Sequence, residues 1–122
     1  MDNNTNISRG TVVFVKGQDN GTEGHVMQGN HPAVVIQNEK GNQYSPNLIV
    51  CYLTSQLKRL EMKTHVLLQH YDNLKLSVVQ AEQVATIDKR DVLGVLGQLR
   101  PEDMVRVDKA LAFSLGLEVP NE

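Results

Sequence analysis

The sequence is poor in residues that often stabilise or mark a small domain. It has a single cysteine, Cys51, no tryptophan and only 4 % aromatic residues. No disulfide can therefore form within the chain, and the core must be built from Val, Leu and Ile. No apolar run approaches the roughly 20 residues of a membrane-spanning helix, and the polar residues 1–8 lack the apolar segment of a signal peptide. We expect a cytoplasmic protein in a reducing compartment, without membrane contact.

A large excess of charge is missing as well. The formal net charge is −2 at pH 7 and the pI is about 6.1, which argues against broad, non-specific nucleic-acid binding, since such domains are usually basic. A local basic groove is still compatible with this balance, because net charge averages over the whole surface. The 122 residues suffice for one domain, and a core of this size would gain stability from a partner subunit.

The common catalytic and cofactor motifs are also absent. The sequence has no Walker loop, no CxxC, no HExxH, no GxSxG and no dinucleotide fingerprint. Its histidines have no metal-type spacing with other strong ligands, so we predict no metal and no cofactor. A basic cluster such as Lys58, Arg59 and Lys63 is, taken alone, more often a solvated loop than a nucleic-acid contact. The four histidines that lack metal-type spacing are His25, His31, His65 and His70.

The apolar patterning predicts short β-strands followed by one helix. β-branched and apolar runs between turn residues indicate the strands, and the run LIVCYL is apolar on both faces, as expected of a central strand. Pro101 suits the first position of the helix and Gly116 the residue after its last turn. Asp88 suits the N-cap of a single helical turn. The predicted strands are Thr11–Lys16, Pro32–Gln37, Leu48–Leu53, Thr64–Leu68, Ser77–Gln80, Gln83–Ile87 and Val95–Leu99.

The connections between these elements differ in character. Gly17–Asn30 is glycine-rich and without periodicity, which predicts a long functional or mobile loop. Residues 38–46 are predicted to be a turn-rich loop, and residues 54–63 a polar connector. With residues 1–8 and 118–122 as tails, the predicted folded domain is 9–117.

Several sequence blocks follow one another in the order of a known family. Residues 32–46 read PAVVIQNEKGNQYSP and residues 48–56 read LIVCYLTSQ. THV at 64–66 and SVVQAEQVATIDKRD at 77–91 come next, and LGQLRPEDMVRVDKALAFSLGL at 96–117 completes the series. Together these blocks resemble, without obvious gaps from about residue 9 to residue 117, the MazF/PemK family of toxin endoribonucleases, also called mRNA interferases.

The resemblance implies both a fold and an activity. The fold would be mainly β with appended helices (α+β), a small SH3-like, CcdB/PemK-type β-barrel with a C-terminal helix, usually assembled as a homodimer. The activity would be that of a type II toxin, a sequence-selective nuclease that cuts single-stranded RNA without a metal and is blocked by a cognate antitoxin peptide. Attack of the ribose 2′-hydroxyl on the neighbouring phosphate would leave a 2′,3′-cyclic phosphate and a 5′-hydroxyl.

The resemblance also implies where the site lies. Thr54 matches the family's catalytic threonine, and His31 stands where the family has its principal catalytic arginine, directly before Pro32. The family's Arg or Lys after the Glu-Gln pair is replaced by Ala85, and the proline before THV by Lys63. The residues expected near the RNA are Ser55, Gln56, Lys58, Arg59 and Gln83.

The exchange at His31 leaves more than one function open. An imidazole can exchange protons near neutral pH, but it lacks the fixed, permanently charged fork with which arginine holds a phosphate. One hypothesis is an active endoribonuclease in which His31 is an acid or base. The other is a catalytically silent homologue that binds RNA or antitoxin-like peptides. Binding to a topoisomerase, as in the related CcdB fold, ranks third.

Overall fold

The computed structural model describes residues 6–17 and 29–117. The predicted C-terminal tail, most of the N-terminal tail and most of the predicted loop Gly17–Asn30 lie outside this range. The strands are β1 (Thr11–Val15), β2 (His31–Val35), β3 (Asn47–Thr54), β4 (His65–Leu68), β5 (Ser77–Asp88) and β6 (Val92–Gln98), and the helices are α1 (Glu39–Tyr44), a 3-10 turn (Lys89–Asp91) and α2 (Pro101–Leu115).

The strands form one antiparallel sheet in the order β4-β5-β3-β2-β1-β6. The central position predicted for LIVCYL is confirmed, because β3 lies between β5 and β2. Side chains of a strand alternate between the two faces, and here both faces are buried. Leu48, Val50 and Tyr52 enter one core, whereas Cys51 and Leu53 enter the other.

Each face of the sheet therefore has its own aliphatic core. The first core lies between the sheet and α2, which contributes Val107, Ala110 and Leu111. The second core is on the opposite face and contains Val13 from β1 and Val92 from β6. No described helix contributes to the second core, so the sheet must curl around it. The curled sheet and its C-terminal helix confirm the predicted fold class.

Helix α2 begins and ends where its local sequence predicts. Pro101 occupies the first turn, and Gly116 adopts a left-handed conformation at φ 71° while its N–H donates to the carbonyls of the last turn. Asp103 is buried in the first turn and accepts hydrogen bonds from Tyr71 Oη (2.5 Å), Arg100 Nη2 (3.2 Å) and Arg106 Nη1 (3.0 Å). This network fixes the helix start to the segment that follows β4. Among the described residues, no helix is long and apolar enough to cross a membrane.

Two local predictions were wrong. The predicted loop 38–46 contains the short helix α1, because Asn38 Oδ1 accepts from Gly41 N at 2.8 Å and Asn42 Nδ2 donates to the Gln37 carbonyl at 2.9 Å. Asparagine is common in turns, which is why the sequence predicts a loop here, but its side chain also caps helices.

The second error concerns strands 77–80 and 83–87, which are one strand, β5, interrupted by a bulge. Leu53 pairs with Val79 and Cys51 with Val84, so only Tyr52 of β3 lies opposite residues 80–83. The polar residues at this bulge separated the two apolar runs in the sequence.

The single turn predicted after Asp88 is present. Its side chain accepts from Arg90 N at 2.8 Å, which caps the 3-10 turn.

Candidate active site

His31 and Thr54 lie at the same end of the sheet and on the same face. His31 is the first residue of β2 and pairs with Val15 of β1. The β2–β3 ladder has Ala33 opposite Tyr52, and continuing this register by two residues sets His31 opposite Thr54. Because side chains alternate along a strand, His31 and Thr54 share the face of Ala33 and Tyr52, at the rim of the second core.

Tyr52 lies between this rim and the core. Its ring makes an edge-to-face contact with the His31 imidazole, with the centroids 6.4 Å apart and the planes at 81°, an arrangement that aromatic quadrupoles favour. Burial of the Tyr52 ring, with the nearby charge of Asp91, raises the pKa of its phenol above the ordinary value. The phenol therefore stays protonated at neutral pH and is available as a hydrogen-bond donor.

Thr54 ends β3 and starts the following bend. It pairs with Val78 of β5, and its Oγ1 accepts from the N–H of Gln56 at 3.1 Å. This bond gives Thr54 a structural role, since it fixes the direction in which Ser55 and Gln56 leave the strand. The hydroxyl proton is not used by that bond, so Thr54 can still donate to a substrate oxygen.

The segment 55–63, here called the basic loop, carries the predicted cations. Lys58 is exposed. The Arg59 guanidinium donates from Nε to Glu61 Oε1 at 2.8 Å, and both side chains are about 70 % exposed (69 % and 70 %). An exposed pair of this kind contributes little energy, so a phosphate can replace Glu61. Lys63 is directed elsewhere, with Nζ 5.3 Å from the ring centroid of Phe113 on α2.

Gln83 lies in the bulge of β5. It is exposed, and the register shift around it means that alternation does not fix its face. The structure thus has His31 and Thr54 on one face beside Tyr52. Ala85, at the position where the family pattern has Arg or Lys, is partly buried against the core.

The sequence analysis missed Tyr52, which contacts His31, and Asp91, whose charge acts on the Tyr52 phenol. Tyr52 could have been found, because it precedes Thr54 by two residues and must share its face. No local sequence pattern predicts the position of Asp91, because that position depends on the pairing of β6 with β1. Next to this pairing, Lys16 N donates to the Asp91 carbonyl at 2.9 Å. Within residues 6–17 and 29–117, no three His, Cys, Asp or Glu side chains are grouped so that they could hold a metal ion.

Comparisons with known proteins identify the family of this chain. The family model described as the PemK-like, MazF-like toxin of type II toxin–antitoxin systems matches residues 8–115. An endoribonuclease from a mycobacterial species superposes with a TM-score of 0.75 at 23% identity, covering 98% of this chain and 100% of that one. MazF from Deinococcus radiodurans gives a TM-score of 0.77 at 22% identity, covering 93% of this chain and 100% of that one.

A third similar structure includes an antitoxin. It is a mycobacterial endoribonuclease in complex with its cognate antitoxin, at a TM-score of 0.75 and 26% identity, covering 93% of this chain and 98% of that one. Because the family model extends from residue 8 to residue 115, through every strand and helix described above, the chain belongs to the PemK-like, MazF-like toxins of type II toxin–antitoxin systems.

Proposed function

We propose that this toxin is a sequence-selective endoribonuclease that cuts single-stranded RNA, with mRNA as its cellular substrate, and that needs no metal. The observation that carries the proposal is the placement of His31 and Thr54 on one face at one end of the sheet, beside the phenol of Tyr52. Family membership supports the same activity, and the mycobacterial relatives are themselves endoribonucleases.

The proposed reaction is an internal transesterification. The 2′-oxygen attacks the adjacent phosphorus, the bond from phosphorus to the 5′-oxygen breaks, and the products are a 2′,3′-cyclic phosphate and a 5′-hydroxyl. His31 acts as the base that takes the 2′-hydroxyl proton or as the acid that protonates the leaving 5′-oxygen. Thr54 and Tyr52 donate hydrogen bonds to the phosphate as its charge develops. DNA lacks the 2′-hydroxyl and is not cut.

The basic loop supplies binding in this proposal. Lys58 and Arg59 attract the RNA backbone electrostatically, and Arg59 exchanges its exposed partner Glu61 for a phosphate. Ser55, Gln56 and Gln83 are exposed and polar, and the first two directly follow Thr54, so we assign all three to RNA contacts near the cleaved bond.

Two protein partners complete the proposal. A cognate antitoxin peptide would block the toxin, in keeping with the mycobacterial relative that was solved with its antitoxin. A second copy of this chain would form a homodimer, and the toxin would act on mRNA in the cytoplasm.

The decisive experiment is cleavage of a defined RNA pool by the purified protein in the presence of a chelator. We expect discrete cuts with 5′-hydroxyl and cyclic phosphate ends, and no cleavage of DNA with the same sequence. Loss of activity in chelator, with recovery on addition of a divalent ion, would contradict the metal-free mechanism. The double variant His31→Ala, Thr54→Ala is the matched control for a contaminating nuclease.

A second candidate function is a catalytically silent member that binds RNA or an antitoxin-like peptide. It is favoured by the same position, because His31 replaces the arginine and Ala85 removes a second cation. Tight RNA binding without any cut, in the experiment above and after expression in a tolerant host, would select this function.

A further inference from the structure

His65 connects the basic loop to β5. It is the first residue of β4, and its side chain is only 7 % exposed. The ring nitrogens contact two different segments, with Nδ1 3.0 Å from the Arg59 carbonyl oxygen and Nε2 2.9 Å from Glu82 Oε2. Arg59 is in the basic loop, whereas Glu82 is in the bulge of β5, next to Gln83.

Both contacts of the His65 ring are with groups that accept hydrogen bonds. A carbonyl oxygen can only accept a hydrogen bond, and an ionised carboxylate can only accept as well. Burial acts to raise the pKa of Glu82, but hydrogen bonds from His65 and from the backbone outweigh it, and that pKa lies below the ordinary value. Glu82 is therefore ionised at neutral pH, and each ring nitrogen of His65 bonds its acceptor only when it carries a proton.

Arg59, the residue of the basic loop that His65 contacts, has an unfavourable backbone conformation. Arg59 adopts a left-handed φ of 57°, which costs a non-glycine residue of the order of 1 kcal/mol and persists only when neighbouring contacts fix it. Its carbonyl oxygen accepts from Met62 N at 3.1 Å as well as from His65. Without the His65 bond, only the local turn would hold this conformation.

We propose that His65 is a positioning residue for the basic loop. With a proton on each nitrogen, its ring holds the Arg59 carbonyl to Glu82 of β5, and loss of one ring proton releases one of the two bonds and loosens the loop. The consequence for RNA rests on the proposed function. In an RNA-binding toxin, an ordered loop presents Lys58 and Arg59 without a further entropic cost on binding.

The other charged groups near His65 have contacts of their own, so they do not replace the Arg59 carbonyl or Glu82 as its partners. On the loop side, Glu61 is held by Arg59, and Lys63 lies over the Phe113 ring. From α2, Arg106 donates to the Leu67 carbonyl of β4 at 3.0 Å and to Asp103 at 3.0 Å. On β5, the residue opposite His65 is Gln80, which is neutral.

The first test needs no RNA. Ring nitrogens and backbone amides are followed by NMR from about pH 5 to 8, the range in which imidazoles change charge. We expect the amides of residues 59–62 to shift with the same midpoint as the His65 ring. In Glu82→Gln the common midpoint should move to lower pH, because the carboxylate that favours the cation is gone. Loop amides that stay constant while the ring titrates would overturn the proposal.

The second test compares two histidine variants. His65→Asn keeps a donor near the Arg59 carbonyl but cannot reach Glu82 or titrate, and His70→Asn changes an exposed histidine after β4 as the matched control. At about pH 6, His65→Asn should weaken binding of an uncleavable 2′-deoxy-substituted RNA by about tenfold, on the scale of one charge-assisted hydrogen bond. The difference from wild type should shrink as the pH rises.

The outcomes separate this proposal from the proposed function. A wild type that binds no RNA would contradict the function, while the loop titration would still decide the role of His65. Equal affinities for His65→Asn and His70→Asn, at every pH, would overturn the positioning role even if RNA is cut. If His65→Asn does not fold, the titrations of wild type and Glu82→Gln decide alone.

Discussion

An arginine and a histidine act differently on a phosphate, and His31 stands where the family has arginine. Arginine offers two parallel donors and a permanent charge, whereas an imidazole offers one donor at a time and a proton that it can give or take. The surroundings of His31 suit the second kind of action. The ring is half-buried against Tyr52, and Thr54 lies across the register on the same face.

We predict that His31→Ala lowers the cleavage rate by about a hundredfold or more, the usual scale for a lost acid or base. His70→Ala is the control for an exposed histidine. Little loss in His31→Ala, together with faster cleavage by His31→Arg, would show instead that the site has kept only a weak phosphate clamp.

Among the elements, the basic loop is exposed and held by few contacts. Its cations differ in freedom, because Lys58 is exposed, Arg59 is paired with Glu61, and Lys63 lies over Phe113. The first two are therefore the cations that RNA can recruit at little cost.

We predict that the double variant Lys58→Ala, Arg59→Ala binds RNA more weakly and with a flatter dependence on salt, since each lost phosphate contact removes released counterions. Lys63→Ala, in the same loop, should leave the salt slope nearly unchanged. Binding isotherms at several salt concentrations measure both effects. An unchanged slope in the double variant would identify the loop as an ordinary solvated surface.

Helix α2 depends on the buried carboxylate of Asp103. Asp103→Ala should lower the free energy of unfolding by about 2 to 3 kcal/mol, because the Tyr71 hydroxyl loses its acceptor and two half-exposed guanidiniums each lose one of theirs. Tyr71→Phe removes the bond to Asp103 and the bond from Arg100 N, and should cost about 1 kcal/mol, since the polar partners at this half-exposed site can be solvated. Urea denaturation gives both values, and a loss in Asp103→Ala no larger than that in Tyr71→Phe would contradict this account.

The elements that the sequence predicted are those determined by local chemistry. Pro101 and Gly116 delimit α2 through their own backbone preferences, and the apolar faces of β3 require two cores. The β5 bulge and the contact between His65 and Glu82 depend on strand register, which a single sequence does not give. The candidate site is intermediate. His31 and Thr54 were predicted from the family resemblance, and Tyr52 follows from alternation with Thr54, whereas Asp91 required the pairing of β6 with β1.

At the scale of the whole molecule, α2 exposes large apolar side chains as well as charged ones. Val105, Phe113 and Leu115 are each more than half exposed in the single chain, although the helix buries its other face in the first core. Large exposed apolar side chains of this kind suit an interface. A second copy of this chain would cover them, and it would also supply the additional burial that a domain of this size lacks.

We predict a homodimer whose interface includes α2 and the strand and loop surface near Thr54. Light scattering at tens of micromolar, an order-of-magnitude concentration for such interfaces, should give twice the chain mass. Phe113→Glu should shift the protein towards monomer, because it removes a large apolar side chain from the interface and replaces it with a charge that would have to be desolvated. Leu93→Glu, on the exposed side of the edge strand β6, is the matched control and should remain dimeric. A monomeric wild type would contradict the homodimer. A dimer that Phe113→Glu leaves intact while Leu93→Glu dissociates it would place the interface elsewhere.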